Sequence, residues 1–369
     1  MNNNQNHIIF CSTSYFEYDR RLQRIISALQ KNEYSIDWIS REYSLKSKVL
    51  PKINHQKLRT YYKSGVLFYL EINIRIFIKL LFSKANIICS IDNDTILSCY
   101  YASKLTRKKL VFDAHEIFHG VPELINKPFK RKIWKQISAR YYPKIDTKYT
   151  VNTSLKHIFK CEFKADFQVI RNVPPLLEKE RSLPLVSNKT IVYLGVLNKG
   201  RGIELAINSL VTLTDYNLKL IGDGDVSADL KALTQELNLE SRVEFLGYLN
   251  PTEIHKELEL SSIGLNMLIP ESENYKLSLA NKFFDYMHAG LPSVNMNFPE
   301  YLNINSKYEV SLLVNNYTTT DLIQALRFLE IDTNYKRLQK SCLLARQVFN
   351  WENESKKLID IFKSVTTTL

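Results

Sequence analysis

The run Ser278-Leu279-Ala280-Asn281-Lys282-Phe283-Phe284-Asp285-Tyr286-Met287-His288-Ala289-Gly290-Leu291-Pro292 concentrates groups able to hold an anion. It reads as a polar helix start, about three helical turns, and a Gly-Leu-Pro stop before a strand. Ser278, Asn281 and Lys282 crowd the start. A helix N-terminus offers unsatisfied N–H groups and a partial positive charge, which together suit a phosphate. Asp285 lies one turn further in, where its carboxylate can accept hydrogen bonds from ribose hydroxyls. One short element can thus hold a nucleotide's diphosphate and its sugar. A capped core helix burying Phe283, Phe284 and Met287 accounts for the same residues.

Other polar residues follow apolar runs. Gly195-Val196-Leu197-Asn198-Lys199-Gly200-Arg201-Gly202 permits close backbone approach and supplies two cations, Lys199 and Arg201; a guanidinium matches phosphate oxygens with its planar fork. The loop also reads as a strand–helix turn with a solvated basic tip. Gly222-Asp223-Gly224 is a second glycine loop, but Ser227 stands where a G-x-G-x-x-G fingerprint ends, and neither loop is a P-loop. His115 and Glu116 follow a third run. A His there can bond a sugar hydroxyl and a Glu can act as base or polar anchor; a local turn-stabilising pair is the alternative. Asp92 and Asp94 are similarly placed, and helix capping is the favoured reading for them.

These loops need a scaffold. Short β-branched and aromatic runs at 7–11, 35–39, 87–91, 110–113, 147–151 and 168–170 alternate with helical patterns, and a second set follows at 190–194, 218–221, 243–246, 262–268, 292–296 and 310–314. Helical faces lie between them, such as Leu22, Ile25, Ile26 and Leu29, or Leu230, Leu233 and Leu237. Such alternation predicts parallel sheets covered on both faces, an α/β fold of two doubly wound, Rossmann-like domains. Pro174-Pro175 and the charged 178–189 stretch separate them. Ligands of such sheets bind beyond the carboxyl ends of the strands, which is where these loops fall.

The chain has 369 residues, 45% apolar and 24% charged, as an ordinary two-domain globular protein does. Cys11, Cys89, Cys99, Cys161 and Cys342 are scattered without a C-x-x-C pair, so reduced, mostly buried thiols are expected, with no metal site and no disulfide framework. No Asp-x-Asp metal signature is compelling, although Asp92-Asn93-Asp94 has the spacing. Residues 1–7 are polar and lead into a short strand, so no signal peptide is expected. The most apolar window, 66–82, is broken by Glu71, Asn73, Arg75 and Lys79 and is not a membrane span. The net charge of +12 divides into +15 over residues 1–180 and −3 over the remainder. Segment 126–144 has seven Lys or Arg and no acid, with Phe129, Ile133, Ile137 and Tyr141 recurring every four residues. It reads as an amphipathic helix lying on an anionic membrane, with 72–82 able to add apolar contact, or as a core-facing stripe with a solvated basic face. No nucleic-acid motif accompanies the basic half, and nucleic acid is not expected as a partner.

Taken in order, Tyr18-Asp19-Arg20-Arg21, Ile91-Asp92-Asn93-Asp94-Thr95, Leu110-Val111-Phe112-Asp113-Ala114-His115-Glu116, Ile170-Arg171-Asn172-Val173-Pro174, Tyr193-Leu194-Gly195, Arg201-Gly202-Ile203, Ile221-Gly222-Asp223-Gly224, Val243-Glu244-Phe245-Leu246-Gly247, Asn281-Lys282-Phe283-Phe284-Asp285-Tyr286-Met287 and Phe349-Asn350-Trp351-Glu352 resemble the GT-B glycosyltransferases of family 4, especially those of bacterial cell-surface polysaccharides. The resemblance covers nearly the whole chain. It implies a GT-B architecture with two domains facing a central cleft: 1–175 on the acceptor and membrane side, 186–350 binding the nucleotide-sugar, and a C-terminal helix 352–369 packing back on the first. It implies a metal-independent, retaining transfer of a sugar from a UDP- or GDP-sugar, used as substrate with no further cofactor, to a lipid-linked saccharide. Capsule, O-antigen or lipopolysaccharide synthesis at the cytoplasmic face of the membrane is the implied setting. Arg201 is similar to the cation on the donor diphosphate, and His115 to the histidine that contacts the donor sugar. Gly195, Lys199, Gly222, Asp223, Ser278, Asn281 and Lys282 complete the donor side. Asp285 matches the second acid of the E-x7-E motif, which holds the ribose. The first acid falls at Leu277, so Glu273 or Glu271 would have to replace it. Ser12-Thr13-Ser14 stands where the family has a glycine-rich loop. A nucleotide-sugar 2-epimerase and a catalytically silent partner subunit are the competing readings.

Overall fold

The computed structural model describes residues 6–14, 19–42, 53–121, 124, 126–176 and 182–367. Tyr18, residues 1–5 of the polar start and residues 178–181 of the charged stretch lie outside them. The chain divides into two compact units, Met1–Asn172 with Glu354–Leu369, and Val173–Asn353.

The first unit runs β1 (His7–Ser12), α1 (Arg20–Lys31), β2 (Ser35–Arg41), β3 (Asn54–Leu58), α2 (Gly65–Leu81), β4 (Ile87–Ile91), α3 (Ile96–Thr106), β5 (Lys109–Ala114), α4 (Pro128–Tyr141), β6 (Thr147–Thr150), α5 (Thr153–Phe163) and β7 (Gln168–Val169). Its sheet is parallel, in the order β3-β2-β1-β4-β5-β6-β7. The strand order reverses between β1 and β4, where Ile8 pairs with Ile87. The second unit runs β8 (Thr190–Leu194), α6 (Ile203–Ser209), β9 (Asn217–Ile221), α7 (Ser227–Glu236), β10 (Val243–Gly247), α8 (Pro251–Glu259), β11 (Ile263–Asn266), α9 (Glu273–Lys276), α10 (Asn281–Ala289), β12 (Ser293–Met296), α11 (Pro299–Asn305), β13 (Ser311–Val314), α12 (Thr319–Leu329) and α13 (Asp332–Ala345). Its parallel sheet has the order β10-β9-β8-β11-β12-β13 and reverses between β8 and β11. The last helix, α14 (Trp351–Thr367), contributes its residues from Glu354 onward to the first unit.

Every strand run read from the sequence forms a strand. The strand that periodicity does not reveal is β3, Asn-His-Gln-Lys-Leu, a polar edge strand that buries only Leu58. Edge strands of this kind lack the apolar alternation that marks buried ones. Central strands are mostly apolar because helices cover both faces; β4 and β8 are buried along their whole length. Four of the five cysteines are buried and Cys161 is exposed.

The segment 126–144 forms α4 and a following helical turn. Its apolar side turns inward: Trp134 lies edge-on to Tyr69 of α2 and Phe118 at 5.0 and 4.6 Å between ring centres, and Tyr141 bonds Tyr101 of α3 at 2.8 Å. Phe129 alone of its periodic apolar residues is exposed, beside exposed Lys130, Arg131, Lys132, Lys135 and Arg140. The membrane-facing apolar stripe expected of α4 is therefore a core-facing stripe, and what reaches solvent is basic. Among the described residues no helix is long and apolar enough to cross a membrane.

Candidate functional site

In the first unit the loops after β1, β4 and β5 bring charged groups together at the carboxyl end of the sheet. Arg21, on the inner face of α1, is 3% exposed. Its guanidinium grips Asp113 at the end of β5 with two N–H groups, at 2.8 and 3.2 Å, and donates a third bond to the Ile170 carbonyl at 2.8 Å. His115 lies between two carboxylates, with Nε2 3.1 Å from Asp113 and Nδ1 3.4 Å from Asp92. Its backbone N–H donates to Asp92 at 2.7 Å. Burial alone would lower the imidazole's pKa; Asp92 and Asp113 outweigh it and raise it to about 9. A protonated Nε2 has no lone pair, so the Arg21 Nε–H, 3.2 Å from both that nitrogen and the Asp113 oxygen, is directed to the carboxylate. Burial would push the Asp113 carboxyl up, but Arg21 and His115 bring it to about 2.

Asp92 and Asp94 do not cap α3, contrary to the capping expected from sequence. Its N-cap is Thr95, without a side-chain cap bond. Asp92 takes a left-handed backbone (φ 54°), a conformation Asp tolerates better than most residues, and this aims its carboxylate at His115. Asp94 accepts from Thr13 across the switch point between β4 and β1. Its other oxygen is buried with no hydrogen-bond partner among the described residues. Burial and then the neighbouring Asp92 push its carboxyl up to about 7. Glu116, one residue beyond His115, is half-buried.

In the second unit the switch point lies between β8 and β11. The loop after β8 packs backbone-on against the segment after β11: Ile269 N–H donates to Gly200 O at 3.0 Å, and a Cβ on Gly202 (φ 79°) would fall 2.5 Å from the Met267 Cβ. A Cβ on Gly222 (φ 129°) would sit 2.1 Å from the Gly195 carbonyl oxygen, so the loops after β8 and β9 can meet only through glycine. Asp223 is exposed and holds its own loop, accepting from Gly224 N at 2.8 Å and from Ser227. Lys199 is exposed at the loop tip.

The stretch 270–278 before α10 contains the helical turn α9, capped by Ser272, with Glu273 exposed in its first turn. Ser278 does not cap α10. The cap position is Ala280, which has no side-chain cap bond, and the Ser278 hydroxyl donates to the Tyr275 carbonyl at 2.9 Å. Asn281 is the first residue of α10 and Lys282 the second. Phe283, Phe284 and Met287 are buried as expected, and half-buried Asp285 lies one turn in.

Lys282 is 6% exposed. Its ammonium stands 3.4 Å above the centre of the Tyr193 ring and close to Gly195. Among the described residues no hydrogen-bond acceptor reaches it. Burial, then the Arg201 charge, depresses its pKa well below the ordinary lysine value, against a smaller opposing pull from Asp285. Arg201 lies over the Tyr275 ring at 4.9 Å, and its Nε is buried without a partner. Two cations are thus held near each other by the start of an uncapped helix, and among the described residues neither the Lys282 Nζ nor the Arg201 Nε has a hydrogen-bond partner. Buried ammonium and guanidinium groups are normally paired; an anion is the kind of group that can supply such a partner. Sequence reasoning missed the Arg21–Asp113–His115 assembly and the supporting rings of Tyr193 and Tyr275. Arg21 carried a signal, standing one turn before Ile25 on the apolar face of α1. Among the described residues no group of three or more His, Cys, Asp or Glu is arranged to hold a metal ion.

The two doubly wound sheets define a class of fold, and comparison with known proteins specifies it. Residues 177–342 match the family model "Glycosyl transferases group 1". An uncharacterized glycosyltransferase of Haemophilus influenzae is 23% identical over 206 residues, 51% of this chain and 56% of that protein. The N-acetylgalactosamine-N,N'-diacetylbacillosaminyl-diphospho-undecaprenol 4-alpha-N-acetylgalactosaminyltransferase of Campylobacter jejuni is 34% identical over 92 residues, 25% of this chain and 24% of that one. The alignments thus span about half of the first relative and a quarter of the second. Among solved structures, Anabaena HepE in complex with UDP and glucose superposes with a TM-score of 0.76 at 15% identity, covering 97% of this chain and 99% of that one. The fold is that of the GT-B glycosyltransferases, and the similarity to group 1 glycosyl transferases falls within residues 177–342, almost all in the second unit.

Proposed function

We propose that the protein transfers a glycosyl group from a nucleotide-sugar to a lipid-linked saccharide, with retention of configuration, in the assembly of a surface polysaccharide such as capsule, O-antigen or lipopolysaccharide. The observation that carries this reading is the pair of neighbouring cations, buried Lys282 with its Nζ and half-buried Arg201 with its Nε lacking a hydrogen-bond partner among the described residues, within the stretch matched by the glycosyltransferase model. The leaving nucleoside diphosphate departs as an anion. Fixed positive charge and helix N–H groups placed where that charge develops lower the barrier. In this reading Lys282, Arg201 and the α10 N-terminus, with Asn281, hold the diphosphate. Gly195 and Gly222 let the backbone approach it. Lys199 and Asp223 border the entrance, and Asp285 binds the ribose. Ser278 positions the turn before the helix. Glu273 takes the sugar contact that Leu277 cannot make, and His115 with Glu116 acts on the sugar and acceptor side. UDP in HepE and the diphospho-undecaprenol acceptor in the Campylobacter enzyme's name support a UDP-sugar donor and a lipid-linked acceptor; a GDP-sugar is the alternative donor. The cations take the place of a metal ion, so turnover is expected to survive EDTA. The setting is the inner face of the cell membrane, with the basic face of α4 against anionic lipid. Leu277 at the usual acidic position favours one second reading, a subunit that binds nucleotide without transferring sugar.

A thermal-shift panel with UDP, GDP, ADP, CMP and their sugar conjugates tests the proposal, because a ligand of the native state raises the midpoint by mass action. One nucleoside diphosphate is expected to stabilise the wild type and not the Arg201→Ala variant. The same substitution is expected to slow transfer about 100-fold, as loss of one charge-stabilising donor does. Its own melting midpoint should barely move. An unchanged rate removes Arg201 from the donor site, and nucleotide binding without transfer selects the second reading.

A further inference from the structure

The outer face of α2 is apolar. Its inner stripe, Phe68, Ile72, Ile76 and Leu80, is buried against the sheet. The opposite face presents Val66, Leu67, Leu70, Ile74 and Ile78, continued by Phe82 at the C-cap, at exposures between 49% and 83%. A surface helix ordinarily turns polar residues outward. Here Val66, Leu70, Ile74, Ile78 and Phe82 follow one another at intervals of four, forming a strip about 24 Å long that runs along the helix. Glu71, the acid nearest this face, is engaged: it accepts from the Tyr61 and Tyr62 backbone N–H groups and pairs with Arg75 at 2.9 Å. Tyr61 and Tyr62 are themselves exposed at the head of the helix. Beside α2, joined to it through Tyr69 and Trp134, lies α4 with its exposed cations.

We infer that the outer face of α2 is a bilayer-insertion surface, lying flat in the headgroup–acyl boundary of an anionic membrane while the basic face of α4 binds the lipid phosphates. The charge complementarity argues for lipid as the occupant. The first 180 residues carry a net +15 and segment 126–144 has no acid, while the strip offers no hydrogen-bonding group that a protein partner would read. Apolar insertion and headgroup attraction are the two contributions an interfacial helix pair needs. This assignment deepens the membrane setting proposed above and moves the apolar contact from α4 to α2.

The test is flotation of the full chain, without nucleotide, on phosphatidylcholine vesicles with about one third phosphatidylglycerol and on pure phosphatidylcholine. The triple variant Leu70→Ser/Ile74→Ser/Ile78→Ser is expected to lose binding to the anionic vesicles by about tenfold or more, with an unchanged melting midpoint because these side chains are outside the core. Lys130→Gln/Arg131→Gln/Lys132→Gln is expected to retain binding only at low salt. Anionic-vesicle binding by the triple serine variant equal to wild type overturns the assignment. So does a wild-type dimer that the triple variant splits without changing vesicle binding, since the face is then covered by a second copy. Nucleotide binding read on the same samples separates the two proposals. Vesicle binding without any nucleotide binding sinks the transferase reading and leaves the insertion surface standing.

Discussion

Replacing Lys282 with methionine is expected to make the protein more heat-stable and catalytically inert. The native ammonium has lost its hydration and gained the face of Tyr193 and a smaller pull from Asp285 in return. Methionine fills similar volume without that desolvation cost, and exchanging a buried charge for an apolar residue is often stabilising by about 1–4 kcal/mol. In a unit of this size each kcal/mol raises the midpoint by about 2–4 °C. Function should move the other way. The variant loses the charge nearest the α10 N-terminus, and kcat/KM is expected to fall about 100- to 1,000-fold, with stabilisation by nucleoside diphosphate abolished. The pH behaviour gives an independent check. Because the folded-state pKa of Lys282 lies below its unfolded value, the unfolded chain binds more protons between the two values, and wild-type stability rises with pH there. The methionine variant should lack that rise. Diphosphate binding in the same window should take up a proton, seen in calorimetry as a heat that depends on the buffer. A variant that melts lower than wild type and binds nucleotide normally would show Lys282 to be structural.

The second large effect is on folding of the first unit. Asp113→Ala strips the shared carboxylate from Arg21 and His115 and leaves two buried cations facing each other. A loss of about 3–5 kcal/mol is expected from breaking a buried pair on one side. Arg21→Met should cost less, because His115 still neutralises Asp113. Fluorescence of Trp38, buried in this unit with its indole N–H on Ser12 at 3.0 Å, follows the unfolding. The ring of His115 adds a pH signature. Its folded pKa of about 9 exceeds the ordinary histidine value near 6.5, so its contribution is complete below pH ~6.5 and is lost as pH rises through 9. His115→Gln should flatten the stability profile across that interval. Equal costs for Asp113→Ala and Arg21→Met, or a histidine-independent profile, would contradict the network.

Much of this was legible in the chain. Strand runs are written in neighbours two residues apart and helices in neighbours three or four apart, so local pattern suffices for both, and the glycine and polar loops could be placed at strand ends. The exceptions have physical causes. Strand β3 is polar because it is an edge, and Asp92 and Asp94 resemble caps because capping uses the same carboxylate as the ion pair of Asp92 with His115 and the hydrogen bond of Asp94 with Thr13. Ser278 resembles a cap because sequence cannot say where a helix turns its first N–H.

The sequence by itself determined two parallel α/β sheets, the polar and glycine loops at their strand ends and the concentration of positive charge in the first half. Tertiary structure alone decided which polar groups are satisfied and which are not. Arg21 and Asp113 are 92 positions apart and meet because adjacent layers of one unit bring them together. Lys282 lacks an acceptor because of what surrounds it, not because of what precedes it. The apolar residues of α2 and α4 have similar periodicity, yet α4 spends its stripe on Tyr69, Phe118 and Tyr101 while α2 keeps a second one in solvent. Periodicity records that a face is apolar; only packing determines which apolar face is covered.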